Sequence, residues 1–84
     1  MKYSFRVPDK GLEQSVRMAI NKYKGDIYYS DVRNLKELNV LAAGVWDLTG
    51  IENLKGLEKL CLWTNNIENS QLKRLANLSN LKSL

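Results

Sequence analysis

The stretch Leu60-Cys61-Leu62-Trp63-Thr64-Asn65-Asn66-Ile67 decides how this chain is read. Leucine stands at every second place and is followed by an Asn-Asn turn signal. Side chains of a strand point alternately to opposite faces. If Leu60 and Leu62 face a core, Cys61 and Trp63 face away from it.

The same spacing recurs along the chain. Val32, Leu35, Leu38, Val40, Val45 and Leu48 form one series, and Leu54, Leu57, Leu60, Leu62 and Ile67 form the next. The first five members of each match at a displacement of 22 residues. Leu78, Leu81 and Leu84 begin a third copy, displaced by 24 from Leu54, Leu57 and Leu60. An amphipathic helix would space its apolar residues at about 3.6. The pairs Leu60/Leu62 and Leu38/Val40 break that spacing and call for a short strand in each unit. The fullest copy, Leu57 to Ile67, reads L-x-x-L-x-L-x-x-N-x-I, the leucine-rich repeat signature. We therefore expect an α/β fold: a leucine-rich repeat solenoid with short parallel strands on its concave face, behind an α-helical N-terminal cap. Asn65 takes the turn place, where a side-chain amide bonds backbone groups of its own turn and of the neighbouring coil. Ala43 stands at that place in the first unit, followed by Gly44, and the two predict an altered turn.

Upstream, Leu12, Val16, Ala19, Ile20 and Tyr23 form a stripe that predicts a helix over 9–24. Asp9 after Pro8 is the expected N-cap and Gly25 the expected stop. Asp26–Val32 reads as a short extended piece followed by a Ser30-capped helical turn. Tyr3, Phe5, Tyr28 and Tyr29 are assigned to cap packing. The expected organisation is a cap over 1–31 and repeats over 32–84, two full units and the start of a third in one continuous domain.

Composition narrows the chemistry. The chain of 84 residues holds no histidine and one cysteine. That removes the commonest general base, an internal disulfide framework and any multi-cysteine zinc site. We expect no enzyme, no catalytic residues, no cofactor and no metal. No apolar run approaches the roughly 20 residues that span a bilayer, and the opening MKYSFRVPDKG lacks the apolar core of a signal peptide. The formal charge of +4 lies wholly in residues 1–24, since residues 25–84 hold seven basic and seven acidic side chains. A basic cluster attracts phosphate or anionic lipid, but these bases are not interleaved with aromatics as in a single-strand groove. A solvated helix face is preferred over nucleic-acid binding.

The residues flanking the strand leucines give the candidate site: Glu37, Asn39 and Leu41 in the first unit, Lys59, Cys61 and Trp63 in the second. Trp63 is either displayed to a partner or folded over a neighbouring coil; a displayed tryptophan is a strong interface anchor. Trp46 is expected to pack on the return segment or the cap, and Cys61 to fill space between strand neighbours.

VPDKGLEQSVRMAINK, GDIYYSDVRNLKEL and VWDLTGIENLKGLEKL together resemble the N-terminal cap and first repeats of the internalins, bacterial leucine-rich-repeat proteins of Gram-positive surfaces. The resemblance implies a cap of EF-hand-like shape, a curved right-handed solenoid, a concave face that binds protein partners, and a secreted or surface setting. It also implies a longer parent protein. Calcium is not expected. With Gly25 at the sixth place of such a loop, the first, third and fifth places are Ile20, Lys22 and Lys24, which offer no oxygen ligands of the kind calcium needs. The function these features predict is a protein-binding module. Alternatives are a structural unit that starts a longer solenoid, an anionic-surface binder using the basic helix, and self-association through the open C-terminal end.

Overall fold

Asp9 opens the first helix. Its Oδ1 accepts the backbone N–H groups of Gly11 (3.0 Å) and Leu12 (3.2 Å), which a helix start otherwise leaves without partners. In the computed structural model, which describes residues 3–40, 44–62 and 65–82, this helix, α1, runs Lys10–Ile20. It stops earlier than the sequence predicts. Asn21 adopts the left-handed conformation (φ 56°) and its N–H closes on the last turn, so the stop is an asparagine and not Gly25. Arg17 then ties down the departing chain, donating to the carbonyls of Lys22 (3.1 Å) and Gly25 (2.7 Å) while pairing with Glu13 (2.9 Å). Leu12 and Val16 are buried and Ile20 half-buried, whereas Ala19 and Tyr23, expected in the same stripe, are exposed.

A short antiparallel pair flanks the helix: β1 (Ser4–Phe5) against β2 (Ile27–Tyr28), with Phe5 opposite Ile27. A single helical turn, α2 (Tyr29–Val32), follows directly. Tyr28 holds its N-cap position, and the Asp31 carboxylate reaches back to the Tyr28 N–H (2.9 Å), so the expected Ser30 cap is replaced. Asp31 also pairs with Lys22 (2.9 Å), whose ammonium lies 4.7 Å from the centre of the Tyr28 ring.

The second pair is parallel. β3 (Glu37–Asn39) and β4 (Lys59–Cys61) align Glu37 with Lys59, Leu38 with Leu60 and Asn39 with Cys61. The displacement of 22 found in the sequence is the register of this pairing. Backbone bonds extend it: Val40 N–H to Cys61 O (2.8 Å), Glu58 N–H to Lys36 O (2.7 Å), and Lys82 N–H to Glu58 O (2.8 Å). The last of these repeats the displacement of 24. Two 3₁₀ segments, Ile51–Asn53 and Asn69–Leu75, make the return paths and pack on each other.

Leu12, Val16, Val32, Leu38, Val40, Val45, Leu48, Ile51, Leu54, Leu57 and Leu60 are all at most 2% exposed and share one core with Val7, Ile27 and Leu78. At the C-terminal end the cover is thinner, with Leu62, Ile67, Leu75 and Leu81 half-buried.

The expected leucine-rich repeat solenoid is corrected by this architecture. Among the described residues, helix outweighs strand, the strands form two separate two-stranded sheets, and no sheet curls into a concave face. The molecule is a compact body of 34 × 25 × 19 Å. The physical reason lies in the numbers of strands and coils. Sheet curvature accumulates over many neighbouring strands, and two strands of three residues accumulate none. The apolar period closes a single shared interior instead of building an extended stack.

Two glycines mark where chain segments touch. A Cβ on Gly50 (φ 102°) would lie 2.6 Å from the Arg6 carbonyl oxygen, and one on Gly56 would lie 2.6 Å from that of Arg33. Gly56→Ala should therefore push two backbone segments apart and destabilise the fold by about 1–3 kcal/mol, the usual range for overpacking. Leu38→Ala should cost about 2–5 kcal/mol through transfer and cavity terms. Urea denaturation of both variants checks the pair; wild-type midpoints would contradict the packing described.

Candidate protein-interaction face

The alternation of the β3–β4 pair sorts its side chains. Leu38 and Leu60 point into the core, while Glu37, Asn39 and Lys59 are exposed and Cys61 is half-buried. The parallel register sets Glu37 beside Lys59 and Asn39 beside Cys61. Four of the six residues singled out in the sequence thus share one face. The other two, Leu41 and Trp63, lie outside the described residues.

The face continues into a groove between α1 and β3, a cavity of about 630 Å³ lined by Gln14, Ser15, Met18, Ala19, Leu35, Glu37 and Asn39. Met18 is 67% exposed. Gly11, Gln14, Ser15 and Met18 fall at i, i+3, i+4 and i+7, a second helical stripe beside the one that enters the core. Sequence reading missed these groove residues. The available signal was that spacing, with small or polar residues at three of its four positions and a methionine at the fourth. Methionine is an adaptable side chain for contact surfaces.

The segment that follows β3 is held in place by side-chain amides and a carboxylate. Asn65 Oδ1 accepts the Val45 N–H (3.0 Å), and its Nδ2 donates to the Val40 carbonyl. One amide therefore serves a turn that lies 20–25 residues earlier. Gln71 Oε1 accepts from Leu48 N–H and from Arg74 Nε, both at 3.0 Å. Asp9 Oδ2 accepts the N–H groups of Trp46 (3.1 Å) and Asp47 (3.2 Å). Trp46, expected in the core, is 61% exposed: its backbone is drawn to Asp9 and its indole is left at the surface.

Several acidic groups are likewise engaged in structure. Glu13 pairs with Arg17, Asp31 with Lys22, and Glu52 accepts the Gly50 N–H (3.0 Å). Asp47 Oδ1 accepts both the Thr49 hydroxyl (2.6 Å) and the Thr49 N–H (2.9 Å). These bonds, the hydroxyl's first, hold the Asp47 carboxyl below its ordinary 3.8. Among the described residues no group of three or more His, Cys, Asp or Glu side chains could hold a metal ion. No helix among them is long and apolar enough to cross a membrane. These polar side chains form structural clasps.

With this geometry established, comparison with known proteins is informative. No protein-family model and no curated protein sequence matches the chain. Solved structures do. An internalin of Listeria monocytogenes, InlF, superposes with a TM-score of 0.83 at 28% identity, over 90% of this chain and 22% of that one. The CBM51-2 and INT domains of Clostridium perfringens ZmpB superpose at 0.85 with 38% identity, over 96% of this chain and 17% of that one. Internalin C2 of L. monocytogenes, at 23% identity and a TM-score of 0.73, shares the fold alone. The chain is thus similar to internalin-associated proteins of bacteria, and it spans only 22% and 17% of the length of the InlF and ZmpB chains.

The Asp47 clasp makes a pH prediction. A carboxyl with a lowered folded value adds stability that is present above its ordinary 3.8 and is lost as pH falls through the lowered value. Thr49→Val, which removes the hydroxyl donor, should narrow that loss. Thermal unfolding against pH should show wild type ahead of the variant at neutral pH, with the gap closing at the acid end. Parallel curves at every pH would contradict it.

Proposed function

We propose that the chain is a non-catalytic protein-interaction module. Its contact residues are Glu37, Asn39, Lys59 and Cys61 on β3 and β4, with Leu41 and Trp63 following each strand and the α1–β3 groove alongside. The observation that carries this reading is the side-by-side placement of exposed Glu37 with exposed Lys59 and of exposed Asn39 with half-buried Cys61, over a strand pair whose Leu38 and Leu60 are buried. Such a face is formed by backbone pairing before any partner arrives, and a preformed surface loses little entropy on docking. The adjacent groove adds apolar side chains from Met18, Ala19 and Leu35 beside the polar Gln14 and Glu37. Interfaces favour an apolar centre within a polar edge. The setting we propose is a bacterial surface or secreted protein, supported by the likeness to an internalin, with the chain acting as one part of a longer protein.

Two sets of variants test the reading. Asn39→Arg and Met18→Glu alter the face and the groove without touching the core. Lys55→Glu alters an exposed position away from both. Partner capture should fall at least about tenfold for the first two, a loss of roughly 1.4 kcal/mol, and stay at the wild-type level for the third. Equal capture by all three variants would overturn the proposed face.

A further inference from the structure

A second cleft lies at the start of α1, lined by Pro8, Asp9, Lys10, Gly11, Gly44, Trp46 and Asp47, with a volume of about 460 Å³. None of the β3 or β4 residues lines it. The volume falls within the range of about 300–1,000 Å³ common to small-molecule sites. Its position is fixed by Asp9, whose carboxylate holds the helix start with one oxygen and the backbone of Trp46 and Asp47 with the other. Trp46 is therefore an exposed indole on an anchored backbone.

The polar groups of the cleft are mixed in sign, and some of their atoms are unused. Among the described residues, the Trp46 indole N–H, Asp47 Oδ2 and the Lys10 ammonium have no hydrogen-bond partner. Asp47 is held in place through its other oxygen by Thr49. The cleft thus offers an aromatic plate, one open acceptor and two open donors. A cationic ligand would gain from the indole face but would meet the Lys10 charge. An anionic ligand would meet Asp47 and Asp9. A neutral ring that carries both donors and acceptors at its edge, and C–H groups on its face, satisfies all of them.

We propose that this cleft binds a neutral pyranose sugar, one ring face against the Trp46 indole and neighbouring hydroxyls shared between the Asp47 carboxylate and the Lys10 ammonium. No bond is made or broken. The site is open on one side, so single sugars bind with dissociation constants of about the millimolar range, and selectivity among them follows the orientation of the hydroxyls that reach Asp47.

Saturation-transfer difference NMR tests this on the whole chain, using the methyl pyranosides of glucose, galactose, mannose and N-acetylglucosamine as probes. Wild type should transfer magnetisation to the ring C–H protons of at least one of them. Trp46→Ala should abolish the transfer and Asp47→Asn should weaken it several-fold, while Asn39→Arg leaves it unchanged. Circular dichroism confirms that each variant is folded; should Trp46→Ala lose its fold, Trp46→Phe and Asp47→Asn carry the test. Absence of transfer to all four sugars in wild type overturns the proposal. So does transfer that survives loss of the indole, or an indole N–H that responds to N-acetyl-arginine amide and to none of the sugars.

Discussion

One carboxylate joins the two halves of this small protein. Asp9 is 9% exposed and accepts four backbone N–H groups, two from the start of α1 and two from Trp46 and Asp47, which lie 37 and 38 residues further along. Buried backbone donors must be satisfied, and leaving one without a partner costs about 1–3 kcal/mol. A single side chain therefore decides where the helix begins and where the chain after β3 meets it. The groove between α1 and β3, the anchoring of Trp46 and the cleft beside it all follow from that clasp. Asn65 does related work further on, bonding both Val45 and Val40.

Much of the interior was legible in the sequence, because burial in a strand obeys a strict alternation. The displacement of 22 residues between matching leucines is the register in which Leu38 meets Leu60, and both side chains are buried. Asp9 was legible as an N-cap from its place after Pro8. Its second role was not, since nothing local announces a partner 37 residues away. The same gap explains Trp46: its hydrophobicity predicts burial, but its backbone is fixed by Asp9 in a place where the indole faces solvent. The helix end was misread because both Asn21 and Gly25 take a positive φ, and the nearer one already ends the helix.

The architecture shows a different limit. A period in the sequence states which residues face inward together; it does not state that the strands accumulate into a curved sheet. Here, among the described residues, the two parallel strands are three residues each and the rest is helix, 3₁₀ turn, loop and one two-residue antiparallel pair, so the leucines fill one interior and the expected solenoid is not formed. The candidate face was half legible. Glu37, Asn39, Lys59 and Cys61 follow from alternation alone. Met18 and Gln14 belong to it only because α1 packs beside β3, a fact of tertiary packing that no local pattern contains.

The account is tested most directly by Asp9→Asn, read by amide hydrogen exchange and urea denaturation. The substitution keeps the side chain's shape but replaces one acceptor oxygen with a donor, so one of the two N–H pairs must lose its partner. The expected result is a loss of about 2–4 kcal/mol, with protection falling together either at Gly11 and Leu12 or at Trp46 and Asp47. Wild-type stability with all four amides still protected would show that the carboxylate does not hold the two halves together.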